Sequence, residues 1–139
     1  MAGSVLEEKL ESLRSCVQRL EEKRPARIEQ LERDQDLQDI LALNLTRAVQ
    51  LSVDIAAHLV ADSELPPPET MAESFNRLRE LGIIDDHLSE RLSGAVGFRN
   101  IAVHQYESVD WAIVFEIVHS HLEDFRELAR AVVSHSSDS

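Results

Sequence analysis

The chain contains few of the residues that interrupt helices. Its 139 residues include four Gly and four Pro, and three of those Pro are consecutive. Long stretches are therefore free of the two residues that destabilise a helix interior most. Aromatic residues make up only 4% of the chain, with one Trp and one Tyr. These shortages favour an all-α fold.

Cysteine and long apolar runs are scarce as well. The single cysteine, Cys16, can form no internal disulfide, which is compatible with a reducing cytosol. No apolar run approaches the roughly 18 residues needed to cross a bilayer, and the N-terminal segment lacks the apolar region of a signal peptide. We expect a soluble, cytoplasmic protein that does not associate with membranes.

Basic residues are outnumbered by acidic ones, 14 to 26, which gives a net charge of −12. Residues 1–34 carry 7 basic and 8 acidic side chains, whereas residues 35–139 carry 7 and 18. The distal part should repel RNA at long range, which counts against a general nucleic-acid binder. A narrow cleft centred on a few arginines is not excluded. An acidic surface also suits a basic protein partner.

Apolar periodicity predicts about five helices in a single domain spanning residues 1–139. The predicted helices cover residues 4–23, 34 or 36 to 61, 70–81, 85 or 86 to about 104, and 108 or 110 to 132. The expected caps are Ser4 with Glu7, Thr70 with Glu73, and Gly82 after the third helix. The Pro-rich segment 62–69 is predicted to be an internal loop, and the Ser-rich tail 134–139 is expected to fray.

One stretch carries more chemistry than the rest, Arg99-Asn100-Ile101-Ala102-Val103-His104-Gln105-Tyr106. An arginine grips a phosphate with two parallel hydrogen bonds, and a histidine exchanges protons near neutral pH. RNA carries its own nucleophile, the 2′-hydroxyl. His104 as acid or base, Arg99 as charge stabiliser and Asn100 as positioning group would therefore suffice to cut a phosphodiester without a metal.

The spacing alone is weak evidence. With 12 Arg and 6 His in the chain, an Arg five residues before a His arises readily by chance, and Arg130 and His135 repeat it near the tail. The surroundings distinguish the first copy, because Asn100 follows its Arg and Tyr106 comes two residues after its His. The competing interpretation of His104 is a capping or core histidine.

Helix geometry limits how this stretch can work. Asn100 and His104, four residues apart, share a helix face, whereas Arg99 and His104 lie about 140° apart. Either the helix ends near His104 or the second arginine comes from another copy of the chain. If the backbone is extended after His104, Tyr106 lies beside the imidazole. Gly94 and Gly97 would allow close approach between helices or between subunits.

Three polar residues interrupt the apolar band of the second helix, Asn44, Arg47 and Gln50. Asn44 and Arg47 either reach the functional cleft or the dimer seam, or are partly buried structural residues. The sequence has no His-Glu-x-x-His, no cysteine pair and no Gly-rich phosphate loop. We therefore expect no metal site and no cofactor.

The octet resembles the Arg-x-x-x-x-His-x-Tyr signature of HEPN-domain proteins, specifically the HepT-like toxins encoded beside minimal nucleotidyltransferases. The long second helix and the His- and acid-rich segment Val118-His119-Ser120-His121-Leu122-Glu123-Asp124-Phe125 look similar too. The resemblance implies a homodimeric HEPN-like bundle and the toxin of a type VII-like toxin–antitoxin system. Such a toxin is a metal-independent endoribonuclease that cuts mRNA or tRNA at a cleft in the dimer interface. The resemblance also implies that a cognate nucleotidyltransferase silences it by adenylylating Tyr106.

A second function remains open from the sequence. The chain would then be a non-catalytic, dimeric helical module that binds a nucleotidyltransferase partner or a nucleotide through the same cleft. The acidic balance of the chain favours this alternative.

Overall fold

The computed structural model describes residues 2–138, and the side chains of residues 5–136. The described range contains helices and no β-strand. The elements are α1 (Ala2–Lys23), α2 (Ile28–Arg33), α3 (Gln35–Ala61), α4 (Met71–Glu80), α5 (Asp86–His104), a 3₁₀ turn (Tyr106–Ser108), α6 (Trp111–Ser120) and α7 (Leu122–Asp138). The all-α fold predicted from the sequence is confirmed.

Helix α3 is the central element of the bundle. Asp34 caps its N-terminus, since its Oδ1 accepts a hydrogen bond of 3.0 Å from Leu37 N. Every other helix contacts it, α1 most extensively. By length and composition α3 would suffice to cross a membrane, which the sequence analysis did not expect. More than half (56%) of its most apolar window is buried inside the bundle, as in the core helix of a soluble protein.

The core is built from aliphatic side chains on all seven helices of the described range. Leu13, Leu20, Leu45 and Leu128 are almost fully buried and belong to one continuous cluster. Cys16 belongs to the same cluster, and burial raises the pKa of its thiol. The described chain therefore holds its one cysteine as a buried free thiol.

The helix ends follow local capping chemistry. Thr70 Oγ1 accepts a hydrogen bond from Glu73 N at 3.1 Å, as predicted. Gly82 has φ +76°, a backbone conformation that side-chain-bearing residues rarely adopt. Ile83 N then donates to Leu78 O at 3.0 Å, which completes the C-terminal cap of α4. Asp85 caps α5 through Leu88 N at 2.8 Å.

Two helix boundaries differ from the sequence prediction. The short helix α2 was not predicted, because Leu31 is its only buried residue. The predicted last helix is in fact two helices, α6 and α7, which meet at His121. His119 Nε2 lies 2.6 Å from Pro25 O, and Arg24 donates to Val118 O at 3.1 Å. These bonds fix the C-terminal end of α6 to the α1–α2 connection, next to the break at His121.

Two predictions at the ends of the chain, the cap at Ser4 and the fraying of the tail, are not tested by the structure. The predicted cap at Ser4 lies outside the described side chains. Helix α7 is helical through Asp138, including the turn that was expected to fray. Fraying is a motion that helix bounds do not test, and it stays a prediction.

Candidate active site

The Arg99–Tyr106 stretch spans the end of α5 and the turn that follows it. Helix α5 ends at His104, and Gln105 N donates to Ile101 O at 2.8 Å. Gln105 has φ −143° and ψ 57°, after which residues 106–108 form the 3₁₀ turn. The helix therefore ends at His104, as the first of the two arrangements requires, and the arginine from another copy of the chain stays a prediction.

Arg99 has the features of an anion-binding arginine. It is half-buried, and its Nη1 donates to Asn100 Oδ1 at 3.1 Å. Its Nε is buried without a hydrogen-bond partner in the described chain. No acidic side chain among residues 5–136 pairs with it. The guanidinium therefore keeps its charge and part of its donor capacity for a ligand.

His104 is exposed as the last residue of α5. Asn100, one turn earlier, is exposed too, whereas Arg99 is turned away by the helix geometry. The structure gives no hydrogen bond between Arg99 and His104 within the described part of one chain. Asn100 contacts Arg99 directly, whereas His104 makes no hydrogen bond with either residue in the described chain.

Tyr106 is not placed beside the imidazole, as an extended backbone would have placed it. Because the chain enters a 3₁₀ turn, the Tyr106 hydroxyl instead donates to the carboxylate of Asp39 on α3. The Tyr106 ring lies edge-on to Trp111, with centroids 5.9 Å apart. Burial, followed by the bond to Asp39, raises the pKa of Tyr106.

A small groove between α3 and α5 surrounds this hydroxyl. Its volume is about 280 Å³. It is lined by Asp39, Ala42, Leu43, Thr46, Ala102, Val103 and Tyr106. Sequence analysis missed Asp39, because 67 residues separate it from Tyr106 and no local pattern marks it.

Asn44 and Arg47 line a different groove, between α1 and α3, of about 430 Å³. Asn44 is buried and donates to Ile40 O at 2.9 Å, a structural role. Arg47 is exposed. The exposed side chain of Leu43 lines both this groove and the α3–α5 groove, so the two are neighbours on the surface of α3.

Exposed apolar side chains surround the octet. Ile101 and Val103 are 41% and 47% exposed, and Leu43 on α3 is 58% exposed. Gly94 and Gly97 lie in a groove of about 580 Å³ between α5 and α6. A Cβ on either glycine would meet nothing within 4 Å, so these glycines serve no close helix contact within the chain. Close approach between subunits stays a prediction.

No cluster of three or more His, Cys, Asp or Glu side chains that could hold a metal ion occurs in the described range. His119 and His121, which the sequence places two apart, have separate partners. His119 contacts Pro25 O, and His121 lies 3.5 Å from Asp124.

Comparison with known proteins shows the family of the chain. The model of a family described as "Ribonuclease HepT-like" matches residues 6–132. The chain belongs to the HepT-like ribonuclease family. It is thereby an enzyme of the ribonuclease class, and the HEPN-like resemblance of the octet is confirmed at the level of the family.

Individual relatives extend over nearly the whole chain. The mRNA nuclease HepT of Shewanella oneidensis is 34% identical over 125 residues, which are 90% of this chain and 93% of that protein. The solved structure of the tri-AMPylated S. oneidensis HEPN toxin in complex with MNT antitoxin aligns with a TM-score of 0.87 at 32% identity. It covers 94% of this chain and 97% of that one. A toxin–antitoxin structure with AMP-PNP gives a TM-score of 0.85 at 32% identity, covering 92% and 97%.

Proposed function

We propose that this HepT-like ribonuclease is the toxin of a type VII-like toxin–antitoxin pair and acts in the cytoplasm. It cuts RNA, with mRNA as the first candidate because a relative 34% identical is named an mRNA nuclease. The cognate antitoxin is a minimal nucleotidyltransferase, by analogy with the MNT antitoxin bound to the HEPN toxin of similar structure.

The main support for the proposed activity is that Arg99 has no acidic partner in the described chain. Arg99 is also half-buried, and its Nε is unbonded within that range, so its positive charge is available to a phosphate. In the proposed reaction the 2′-hydroxyl of RNA attacks the adjacent phosphorus, and the 5′-oxygen leaves. His104 takes or returns the proton, while Arg99 stabilises the charge that develops on the phosphoryl oxygens.

A second copy of the chain would complete this cleft. Arg99 and His104 diverge on one helix, so one protomer does not converge both on one phosphate. The exposed apolar residues of the same helix, Ile101 and Val103, supply a surface for a second copy. We therefore propose a homodimer whose seam includes α5 and α3, with Arg47 as a possible lining residue of the cleft.

Cleavage of a defined mRNA by wild-type protein and by His104→Ala tests the activity. We expect the substitution to lower the rate by about 10²–10⁴. His135→Ala is the matched control, since His135 has the same spacing from an arginine outside the proposed cleft, and it should cleave normally. Full activity in His104→Ala would refute the assignment.

Tyr106 is the proposed acceptor of AMP. It is the chain's only tyrosine, it is 40% exposed, and its hydroxyl lies in a groove at the surface. An added AMP would bring negative charge next to the RNA cleft and block access to it. Tyr106→Phe keeps the ring against Trp111 and should keep the nuclease activity, yet escape neutralisation. Intact-mass measurement after co-expression with the nucleotidyltransferase checks this, and an AMP-sized increment on Tyr106→Phe equal to wild type would contradict it.

A further inference from the structure

The bond between Tyr106 and Asp39 joins two parts of the chain that are 67 residues apart. Asp39 lies in the second turn of α3, whose start is fixed by the Asp34 cap. Tyr106 is held on the other side by its edge contact with Trp111. Both Asp39 and Tyr106 are exposed at the protein surface, so a second protein has access to the hydroxyl.

Asp39 has no competing partner in the part of the chain that the structure describes. None of the ion pairs among residues 5–136 includes it, and within that range its carboxylate accepts a hydrogen bond from Tyr106. The rest of the groove is formed by Ala42, Leu43, Ala102, Val103 and Thr46, which carry no charge. The carboxylate is therefore available to accept a proton from the phenol.

The phenol needs such help. Because burial and the neighbouring carboxylate raise the pKa of Tyr106, the hydroxyl keeps its proton at neutral pH. A protonated phenol is a weak nucleophile, and a base within hydrogen-bond distance activates it by removing the proton during attack. His104 is not in hydrogen-bond contact with Tyr106 in this structure, whereas Asp39 is.

We propose that Asp39 is the general base of Tyr106 adenylylation, a role that rests on the proposed function. The Tyr106 oxygen attacks the α-phosphorus of a nucleoside triphosphate presented by the nucleotidyltransferase. A new O–P bond forms, the bond to the β-phosphate oxygen breaks, and pyrophosphate leaves with that electron pair. The phenolic proton passes to Asp39. The modified toxin thus contributes a catalytic group to its own modification.

The charge balance fits this role. An aspartate next to a phosphodiester would repel it if both were ionised, because like charges in a partly buried site destabilise each other. In the proposed step Asp39 becomes neutral as the anionic phosphodiester forms beside it. The ionised carboxylate therefore attracts the phenolic proton before transfer. Once protonated, it does not repel the phosphodiester that forms.

The experiment compares initial rates of AMP incorporation into full-length wild type, Asp39→Asn and Asp36→Asn, using purified nucleotidyltransferase, ATP and Mg²⁺ with intact-mass detection. Asp36 is an exposed aspartate one turn earlier on α3, which makes it a matched control. We expect Asp39→Asn to slow incorporation by about 10²–10⁴, the usual cost of losing a general base. Asp36→Asn should match wild type. RNA cleavage and the affinity for the nucleotidyltransferase should be unchanged in Asp39→Asn.

Chemical rescue separates a base from a residue that only positions the tyrosine. Added formate should accelerate AMP incorporation into Asp39→Ala and leave wild type unaffected. Equal rates in wild type and Asp39→Asn would refute the role of Asp39 as base and leave the assignment of Tyr106 as AMP acceptor intact. Loss of nucleotidyltransferase binding by Asp39→Asn would overturn it in favour of a docking role. If no AMP is attached to the wild-type protein, Tyr106 is not the AMP acceptor, and the proposed role of Asp39 as its base fails as well.

Discussion

Two arginines on α5, Arg91 and Arg99, have opposite surroundings. They are eight residues apart, which is about 12 Å along the helix axis. Arg91 Nε donates to Asp124 Oδ1 at 2.8 Å, and its Nη2 lies 3.4 Å from Glu127. The bond to Asp124 raises the pKa of Arg91 further above its usual value. Arg99 contacts the neutral amide of Asn100 and leaves its Nε unbonded.

The difference separates an arginine that is paired within the fold from one that is available to a ligand. Arg91 is neutralised by α7, so its charge fixes α5 against α7 and is not available to a ligand. Arg99 has no such partner in the described chain, although the chain as a whole carries 26 acidic residues against 14 basic ones. In so acidic a protein, an arginine without an acidic partner is a stronger signal than the Arg-to-His spacing.

The largest expected effect contrasts these two arginines in catalysis. Arg99→Ala should lower RNA cleavage by about 10²–10³, the usual cost of losing one charge-stabilising donor. Arg91→Ala should leave the cleavage rate unchanged, because its charge is already compensated. Steady-state cleavage assays with circular dichroism as a fold control measure both. An equal loss of activity in Arg91→Ala would erase the distinction.

A second test addresses the apolar surface near Arg99. Ile101→Glu should convert a dimer into a monomer and remove cleavage with it, because an unpaired carboxylate in an interface is strongly unfavourable. Light scattering at micromolar concentration measures the mass. Val5→Glu, which changes an equally exposed apolar residue on α1, is the control and should remain dimeric. A wild-type protein that is already monomeric would refute the dimer.

A smaller effect is expected on stability. Arg91→Ala should lower the free energy of unfolding by about 1–2 kcal/mol, the range for hydrogen bonds to charged groups at a partly exposed site. In this variant Asp124 still has His121 as a neighbour at 3.5 Å, which limits the loss of stability. Arg14→Ala, which breaks an exposed pair with Glu11, should change stability less. Urea unfolding of both variants gives the comparison.

No effect is expected from removing divalent metal. The proposed reaction uses the 2′-hydroxyl, His104 and Arg99, so RNA cleavage should continue in EDTA at the wild-type rate. Activity that EDTA abolishes and Mg²⁺ restores would show that a metal, and not the arginine, compensates the phosphate charge.

Local chemistry explains which elements could be predicted from the sequence. The end of α3 at Ala61 and the caps at Thr70 and Gly82 depend on residues within four positions of each other, and these were predicted. The starts of α3 and α5 were each predicted as one of two positions, and the structure shows caps at Asp34 and Asp85. The division between α6 and α7 was not predictable. Apolar spacing continues through Val118, Leu122 and Phe125, while the bonds that redirect the chain come from Arg24 and Pro25, far away in sequence.

In the candidate site too, local features could be predicted from the sequence and contacts between distant residues could not. The octet could be recognised because its residues are adjacent in sequence. The partner of Tyr106 could not, because a 3₁₀ turn redirects the hydroxyl from His104 to Asp39 across 67 residues. The role of Arg99 stays a prediction, and the absence of an acidic partner for it in the described chain became visible only after the acidic residues had positions.

The end of α5 at His104 and the turn that begins at Tyr106 also have a consequence for heredity. In the proposed function, RNA cleavage and AMP acceptance use different side chains, so a mutation can remove one and spare the other. A gene copy with His104 replaced would encode a harmless protein that still consumes antitoxin activity. We expect such a copy to act as a decoy, raising the dose of antitoxin that a cell with an intact toxin gene requires.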